Sequence, residues 1–250
     1  MRVALFVTCL VDLFRPSVGF ATVRLLERLG AEVVVPPAQT CCGQPAYNNG
    51  DFDSARDIAR QVIAAFDGYD HVVVPSGSCA GMLVKHYPEL FRDEPETLAR
   101  AQDLAARTRE LSALLAESGG DSAVDAHFGG KVAMHDSCSA RRELGLLAEP
   151  RALLDRLGAE RVELKDAETC CGFGGTFCVK YPDISARMVS DKAAAVVASG
   201  AEVLVSGDLG CLMNIAGRLK RMDSKVRVYH LAELLAGMTD IPAIGEGDKP

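Results

Sequence analysis

Nine cysteines dominate the chemistry available to this 250-residue sequence, and eight of them form two matching sets. The tetrapeptide Thr-Cys-Cys-Gly occurs at residues 40–43 and again at residues 169–172. In each half a single cysteine lies 32 positions before the pair, and another follows it after 37 positions in the first half and 40 in the second. The first cysteine set is Cys9, Cys41, Cys42 and Cys79, and the second cysteine set is Cys138, Cys170, Cys171 and Cys211.

Four thiolates per set indicate a metal centre in each half, because thiolate is a soft ligand that suits iron–sulfur clusters and zinc. Structural zinc sites usually use local Cys-x2-4-Cys hooks, and neither set has one. A vicinal disulfide would leave Cys9 and Cys138 without a role. The spacing therefore favours one iron–sulfur cluster per set, with zinc and a metal-free thiol pair as the alternatives.

The elements between the cysteines predict an α/β fold with a mostly parallel, doubly wound sheet in each half. In the first half the apolar runs Val3–Val7, Glu32–Val35 and His71–Val74 predict strands, and a cysteine or cysteine pair follows each run. Loops after parallel strands meet at one edge of the sheet. We therefore expect each cysteine set to converge there, although 70 positions separate Cys9 from Cys79.

The second half repeats the first with an offset near 129 residues, which predicts two tandem, pseudo-symmetric Rossmann-like units. The segment Leu25–Glu32 returns as Leu153–Glu160. A glycine-containing stretch between residues 119 and 130 marks the junction, so we place the units at 1–122 and 123–250. The stretch Glu96–Ala116 before the junction predicts one long helix, and Lys225–Tyr229 near the end predicts a strand.

Composition describes an ordinary soluble globular chain and excludes several classes of partner. Apolar residues make up 48% of the sequence and charged residues 24%. The formal net charge of −7 argues against nucleic acid or an anionic membrane as the main partner. No signal peptide and no membrane span are evident, so we expect a cytoplasmic protein whose cysteines are metal or redox groups and not structural disulfides.

Five further residues near the cysteines have two interpretations each. Cys178 has no counterpart in the first half and is either an inert thiol or a replacement ligand. His135 is either a packed histidine or a group that hydrogen-bonds a cluster sulfur or relays a proton. Asp208 is either a helix N-cap or an extra oxygen ligand. Arg141 and Arg142 bind an anion or begin a solvated helix.

The order of these motifs resembles the CCG, or cysteine-rich, domain, and the resemblance covers nearly the whole chain. Tandem copies occur in the B subunit of heterodisulfide reductase and in iron–sulfur subunits of glycolate- and glycerol-3-phosphate-oxidising complexes. A chain of this size with two copies resembles the lactate utilization protein A family. The matching segments are Leu5–Cys9, Cys41–Pro45, Ser76–Cys79, His135–Cys138, Cys170–Gly175 and Ser206–Cys211.

The resemblance implies two clusters of the [4Fe-4S] type, bound by the eight cysteines of the two sets. It implies a subunit of a cytoplasmic complex that oxidises L-lactate, a small 2-hydroxy acid, to pyruvate with companion B and C proteins. The alternatives are an electron-transfer subunit of a glycolate or glycerol-3-phosphate oxidase, and a heterodisulfide-reductase-like thiol/disulfide enzyme. The sequence has no ferredoxin-type cysteine run and no flavin motif, so electrons would pass to a partner.

The chain departs from the fuller CCG pattern at one place in each half. That pattern ends in Cys-x-x-Cys, whereas each half here ends in a single cysteine. Ser76 or Met82 stands at the missing position near Cys79, and Asp208 stands at it before Cys211. The missing thiols disfavour a non-cubane cluster and the cleavage of disulfides, and they leave four ligands in each half for a cubane.

Overall fold

The computed structural model describes residues 2–119 and 123–247. The first half alternates strands with helices, and a π-helical turn over Met82–His86 joins α5 to α6. Its elements in chain order are β1 Arg2–Leu5, α1 Cys9–Phe14, α2 Pro16–Arg28, β2 Glu32–Val34, α3 Gln44–Asn48, α4 Phe52–Ala65, β3 His71–Val74, α5 Gly77–Gly81, α6 Tyr87–Leu90, α7 Pro95–Arg107, β4 Thr108–Glu110 and α8 Leu111–Glu117.

The second half repeats this order except that a single helix stands between its third and fourth strands. Its elements are β5 Lys131–Met134, α9 Cys138–Arg142, α10 Ala148–Arg156, β6 Glu160–Val162, α11 Phe177–Lys180, α12 Pro182–Ala198, β7 Val203–Ser206, α13 Leu209–Arg221, β8 Arg227–His230 and α14 Leu231–Leu235. Each half builds a four-stranded sheet, in the orders β2-β1-β3-β4 and β6-β5-β7-β8. All strand pairs are parallel, which confirms the predicted α/β fold of two similar units.

The prediction of one long helix over Glu96–Ala116 is wrong. The helix ends at Arg107, and Thr108–Glu110 forms the edge strand β4 beside β3. The β-branched Thr108 is buried, and the Glu110 side chain accepts hydrogen bonds from the backbone N–H groups of Ser112 and Ala113, which begins a new helix there. The counterpart strand β8 lies where Lys225–Tyr229 predicted a strand.

A central apolar core is shared by the two halves. Along strand β3, Val73 points into this core while Val72 and Val74 point into a separate outer core, as expected from the two-residue period of a strand. The central core also contains Leu25 of α2 and Leu235 of α14, and these two helices pack against each other across the junction. Helices therefore cover both faces of each sheet, as parallel sheets require.

The carboxyl ends of the two sheets meet at the junction between the halves. Helix α5 of the first half packs against α9 of the second so closely that a Cβ on Gly77 would lie 2.6 Å from Cβ of Ala140. The predicted boundary between residues 122 and 123 touches residues 120–122, which lie outside the described residues, so that boundary stays a prediction. No helix within the described ranges is long and apolar enough to cross a membrane.

Candidate metal centre

The single cysteine that begins each set is the first residue of a helix. Cys9 begins α1, where the Thr8 hydroxyl accepts a hydrogen bond from the backbone N–H of Val11. Cys138 begins α9, where Ser137 caps the helix through Ala140 in the same way. The unpaired N–H groups and the dipole of a helix N-terminus stabilise a thiolate.

The cysteine that ends each set lies in the first turn of a helix. Cys79 is the third residue of α5, and its backbone N–H donates to the Ser76 hydroxyl at 3.2 Å. Cys211 is the third residue of α13. Both cysteines therefore lie at helix starts.

The two Cys-Cys-Gly loops share one backbone geometry. Gly43 and Gly172 have φ of +82° and +79°, a left-handed conformation that favours glycine. In each loop the glycine N–H donates to the sulfur of the first cysteine of the pair, to Cys41 at 3.5 Å and to Cys170 at 3.4 Å. Each glycine thus turns the chain so that one sulfur of the pair accepts a backbone hydrogen bond.

The structure brings the four sulfurs of each set together in sequence order. In the first set the sulfur of Cys9 lies 3.9 Å from that of Cys41, and Cys42 lies 3.3 Å from Cys79. Cys41 also interacts with Cys42, so the contacts are continuous. In the second set Cys170 interacts with Cys138 and with Cys171, which interacts in turn with Cys211.

Hydrogen bonds between the sulfurs separate the thiol pKa values within each set. Hydrogen bonds from Cys42 and Cys9 lower the pKa of the Cys41 thiol to about 3, and the same contacts raise the pKa of both neighbours. Hydrogen bonds from Cys138 and Cys171 likewise lower the pKa of Cys170 to about 2, while the pKa of each donor rises. Four adjacent thiolates repel one another, and a bound cation removes that repulsion by displacing the protons.

Both sets face the same cavity, which has a volume of about 340 Å³ and spans the junction. Besides the eight cysteines, its wall includes Gln44, Asn48, Phe173 and Thr176. The two cysteine sets are therefore neighbours that open onto one cavity, an arrangement that sequence spacing alone did not predict.

Asp208 joins the two halves at the base of this cavity. Its buried carboxylate accepts hydrogen bonds from the Ser76 hydroxyl at 2.8 Å, the Ser78 hydroxyl at 2.6 Å and the Ser78 N–H at 3.0 Å. Asp208 is the N-cap residue of α13, as one of its two interpretations states, but its side chain makes no cap hydrogen bond. Ser76, one of the two residues at which the fuller pattern could place a further thiol in the first half, is thus hydrogen-bonded to Asp208, the residue at that place in the second half.

Two residues that sequence reasoning missed hold the backbone of the cysteine pairs. The Tyr87 hydroxyl donates to the carbonyl of Cys42 at 2.9 Å, and the Asn214 amide donates to the carbonyl of Cys171 at 2.8 Å. Both come from the helical segments that follow the last cysteine of their set. No sequence signal distinguishes them, because the two residues differ in type and in distance from that cysteine.

The second set has polar, buried neighbours. Lys192 is buried and donates to the carbonyls of Ala167 at 3.0 Å and Asp166 at 3.4 Å, and burial lowers its pKa. His135 is buried directly behind the second set, and burial lowers its pKa to about 4. A ring nitrogen of His135 and the sulfur atoms of Cys171 and Cys211 all lie within 4.8 Å of one another.

The other residues with two interpretations lie outside this constellation. Cys178 is half-buried, its thiol donates to the carbonyl of Gly175 at 3.5 Å, and it does not line the cavity. Arg141 forms an ion pair with Glu168. Neither Arg141 nor Arg142 lines the cavity.

The donor sets fit iron–sulfur clusters. Each set offers four soft thiol sulfurs, at helix starts and in a tight loop. The cysteines of the pairs Cys41–Cys42 and Cys170–Cys171 are adjacent in sequence, whereas the cysteines of a structural zinc site are usually separated by two to four residues. When bound, a cluster takes up and releases single electrons. The first cluster would be held by Cys9, Cys41, Cys42 and Cys79, and the second by Cys138, Cys170, Cys171 and Cys211.

Comparison with known families gives the class of protein. The model of the cysteine-rich domain, CCG, matches residues 3–84 and 132–216, one match in each half. In fold, the chain is similar to a hypothetical protein from Helicobacter pylori with a TM-score of 0.68 and 11% identity, over 99% of this chain and 49% of that one. The chain is thus a tandem cysteine-rich-domain protein.

Full-length relatives narrow the assignment. The chain is 50% identical to lactate utilization protein A of Bacillus velezensis and 48% identical to that of Bacillus subtilis, each over 94% of this chain and 99% of the relative. It is 49% identical to that of Geobacillus kaustophilus over 94% of this chain and 98% of the relative. The chain belongs to the lactate utilization protein A family.

Proposed function

We propose that this chain is the iron–sulfur subunit of a cytoplasmic complex that oxidises L-lactate to pyruvate. The observation that carries the proposal is the pair of four-cysteine sets facing one cavity. The substrate comes from the name shared by relatives that match along almost their whole length.

The number of centres suits the reaction. Oxidation of a 2-hydroxy acid to a 2-oxo acid releases one electron pair and two protons, and a pair of one-electron carriers matches that count. The residues of this chain would bind the two clusters, orient them toward a shared space and keep bulk water from the buried cysteines Cys42, Cys79 and Cys171. The electron acceptor would be an iron–sulfur companion, the B protein, acting with the C protein in the same assembly.

Two alternatives predict different chemistry. An electron-transfer subunit of a glycolate or glycerol-3-phosphate oxidase would use the same two centres with another substrate. A heterodisulfide-type enzyme would have a further thiol at Ser76 or Met82 in the first half and at Asp208 in the second, and the Ser76 and Asp208 side chains are hydrogen-bonded to each other. The arrangement therefore favours electron transfer over disulfide cleavage.

Anaerobic purification with iron and sulfide analysis tests the centres directly. Two [4Fe-4S] clusters correspond to about eight iron and eight sulfide per chain. A colourless protein with zinc and no iron would overturn the assignment. Reduction of the clusters by L-lactate, glycolate or glycerol 3-phosphate in the reconstituted complex then identifies the substrate, and only reduction by L-lactate supports the proposal.

A further inference from the structure

His135 and Phe6 occupy the same place in the two halves. Each follows the first strand of its sheet and precedes the first cysteine of its set by three residues. The Phe6 N–H donates to the carbonyl of Val73 at 2.9 Å, and the His135 N–H donates to the carbonyl of Val205 at 2.8 Å. The halves therefore place an apolar ring behind the first cysteine set and an imidazole behind the second.

The two rings have different surroundings. Phe6 packs against Phe66 with ring centroids 5.3 Å apart, inside the outer apolar core of the first half. His135 is fully buried, and neither of its ring nitrogens has a hydrogen-bond partner among residues 2–119 and 123–247. A buried imidazole without partners is costly, since both ring nitrogens lose water and gain nothing in return.

Three charged groups in this part of the chain are already paired with other residues. Arg151 donates to both carboxylate oxygens of Asp136, at 2.9 and 2.8 Å, and Lys192 donates to the carbonyls of Asp166 and Ala167. The Asp208 carboxylate accepts from Ser76 and Ser78. One ring nitrogen of His135 and the sulfurs of Cys171 and Cys211 all lie within 4.8 Å of one another, and the buried Ser206 hydroxyl at the end of the adjacent strand β7 is also without a partner in the described part of the chain.

We propose that His135 is a nitrogen ligand of the metal group at the second cysteine set, where it takes the place of one of the four thiolates at one iron. Imidazole and thiolate together bind iron and zinc. Ligand atoms that each lie about 2.0 to 2.3 Å from one metal are separated from one another by no more than the 4.8 Å limit that the atoms of His135, Cys171 and Cys211 meet. The inference rests on the proposed metal at the second set. It makes the two centres chemically unequal, with sulfur alone in the first and sulfur with nitrogen in the second.

This inequality has a structural basis in the chain. The second set lacks the family's extra thiol, and Asp208 at that place is committed to the first half. His135 supplies a donor from another direction, at the end of β5. The first set has no such group, because Phe6 fills the equivalent space.

The test is nitrogen hyperfine spectroscopy on the anaerobically purified, dithionite-reduced chain, made with ordinary and with 15N-labelled histidine. We expect a strong coupling that changes with the label, and its loss in His135→Phe, which installs the first half's own residue. The variant His127→Phe removes an exposed histidine that does not line the cavity and should keep the coupling.

The outcomes separate this inference from the proposed function. Iron in both sites with no strong histidine coupling overturns the ligand role of His135 and leaves the electron-transfer role intact. Absence of iron overturns the proposed function itself. The labelled wild-type chain gives the deciding measurement even if His135→Phe does not fold.

Discussion

The Ser76 hydroxyl donates a hydrogen bond of 2.8 Å to the carboxylate of Asp208, which lies 132 residues away in the other half of the chain. The same hydroxyl accepts from the backbone N–H of Cys79. One buried contact therefore joins the helix start that carries a first-set cysteine to the loop that precedes Cys211.

Replacing Asp208 with alanine should destabilise the chain by about 3 kcal/mol, because the Ser76 and Ser78 donors would lose a buried charged acceptor. Urea unfolding of the metal-free chain measures the loss. In a double-mutant cycle with Ser76→Ala, we expect a coupling of about 1 kcal/mol or more. Fully additive effects would show that the contact contributes nothing of its own.

Removing one cysteine from each set should show that the two centres load independently. Cys42→Ser and Cys171→Ser should each lose about half of the iron, because each removes one buried ligand from one set. Cys178→Ser is the matched control, since its thiol bonds the Gly175 carbonyl outside the cavity, and its iron content should equal that of the wild type. Loss of all iron from either ligand variant would mean that the sites assemble cooperatively.

Alanine at the two loop glycines should have unequal effects. Both positions have positive φ, which costs a non-glycine residue about 1 to 2 kcal/mol. At Gly172 the new Cβ would also lie 2.8 Å from the carbonyl oxygen of Ser185, whereas at Gly43 the nearest atom is a side-chain carbon of Ile58 at 3.3 Å. The midpoint temperature of thermal unfolding should be lower for Gly172→Ala than for Gly43→Ala. Equal midpoints would contradict the close approach of the new Cβ to the Ser185 carbonyl oxygen.

Glu110 should make stability fall as pH rises toward neutrality. Burial raises the pKa of this carboxyl to about 7, so between its ordinary pKa and pH 7 the folded chain holds a proton that the unfolded chain has released. Its contribution is therefore complete below about pH 4.5 and decreases by up to about 3 kcal/mol as pH passes 7. Glu110→Gln should remove this slope from urea unfolding measured between pH 5 and 8.

The exposed Glu117 provides the control for that experiment. Glu117→Gln should keep the slope of the wild type, which separates the buried carboxyl from general effects of charge. A slope unchanged by Glu110→Gln would assign the pH dependence to other groups.

Lys192 should raise the reduction potential of the second centre. A buried ammonium near the second set favours the more negative, reduced state, and its removal in Lys192→Met should lower the potential by the equivalent of about 1 kcal/mol. Lys180→Met removes the same charge from an exposed position and should leave the potential unchanged. Potentiometric EPR titration measures both variants, and an unchanged potential in Lys192→Met would mean that the amine is neutral or well shielded.

The cysteine spacing predicted the placement of the sites because parallel strands have one carboxyl edge. A repeat that puts cysteines after β1, β2 and β3 fixes their convergence, whatever the lengths of the helices between them. The same reasoning located the strands from short β-branched runs such as His71–Val74, whose predicted limits are those observed.

The sequence did not predict strand β4, because Thr108–Glu110 is too short and too polar to interrupt the helical pattern around it. It is a strand because β3 offers an unpaired edge, which is a tertiary effect. The contact between Asp208 and Ser76 was equally hidden, since it depends on how the two halves face each other. Positions within a unit follow from local pattern, whereas positions across the junction depend on packing.

The central core has a consequence for the chain as a whole. Leu25 and Leu235 come from opposite ends of the sequence, yet they belong to one apolar interior between the sheets. A half produced alone would expose that interior to solvent and would need a second copy to cover it. The chain thus packs its two units together as a homodimer packs two subunits, and the units differ where Phe6 of the first corresponds to His135 of the second.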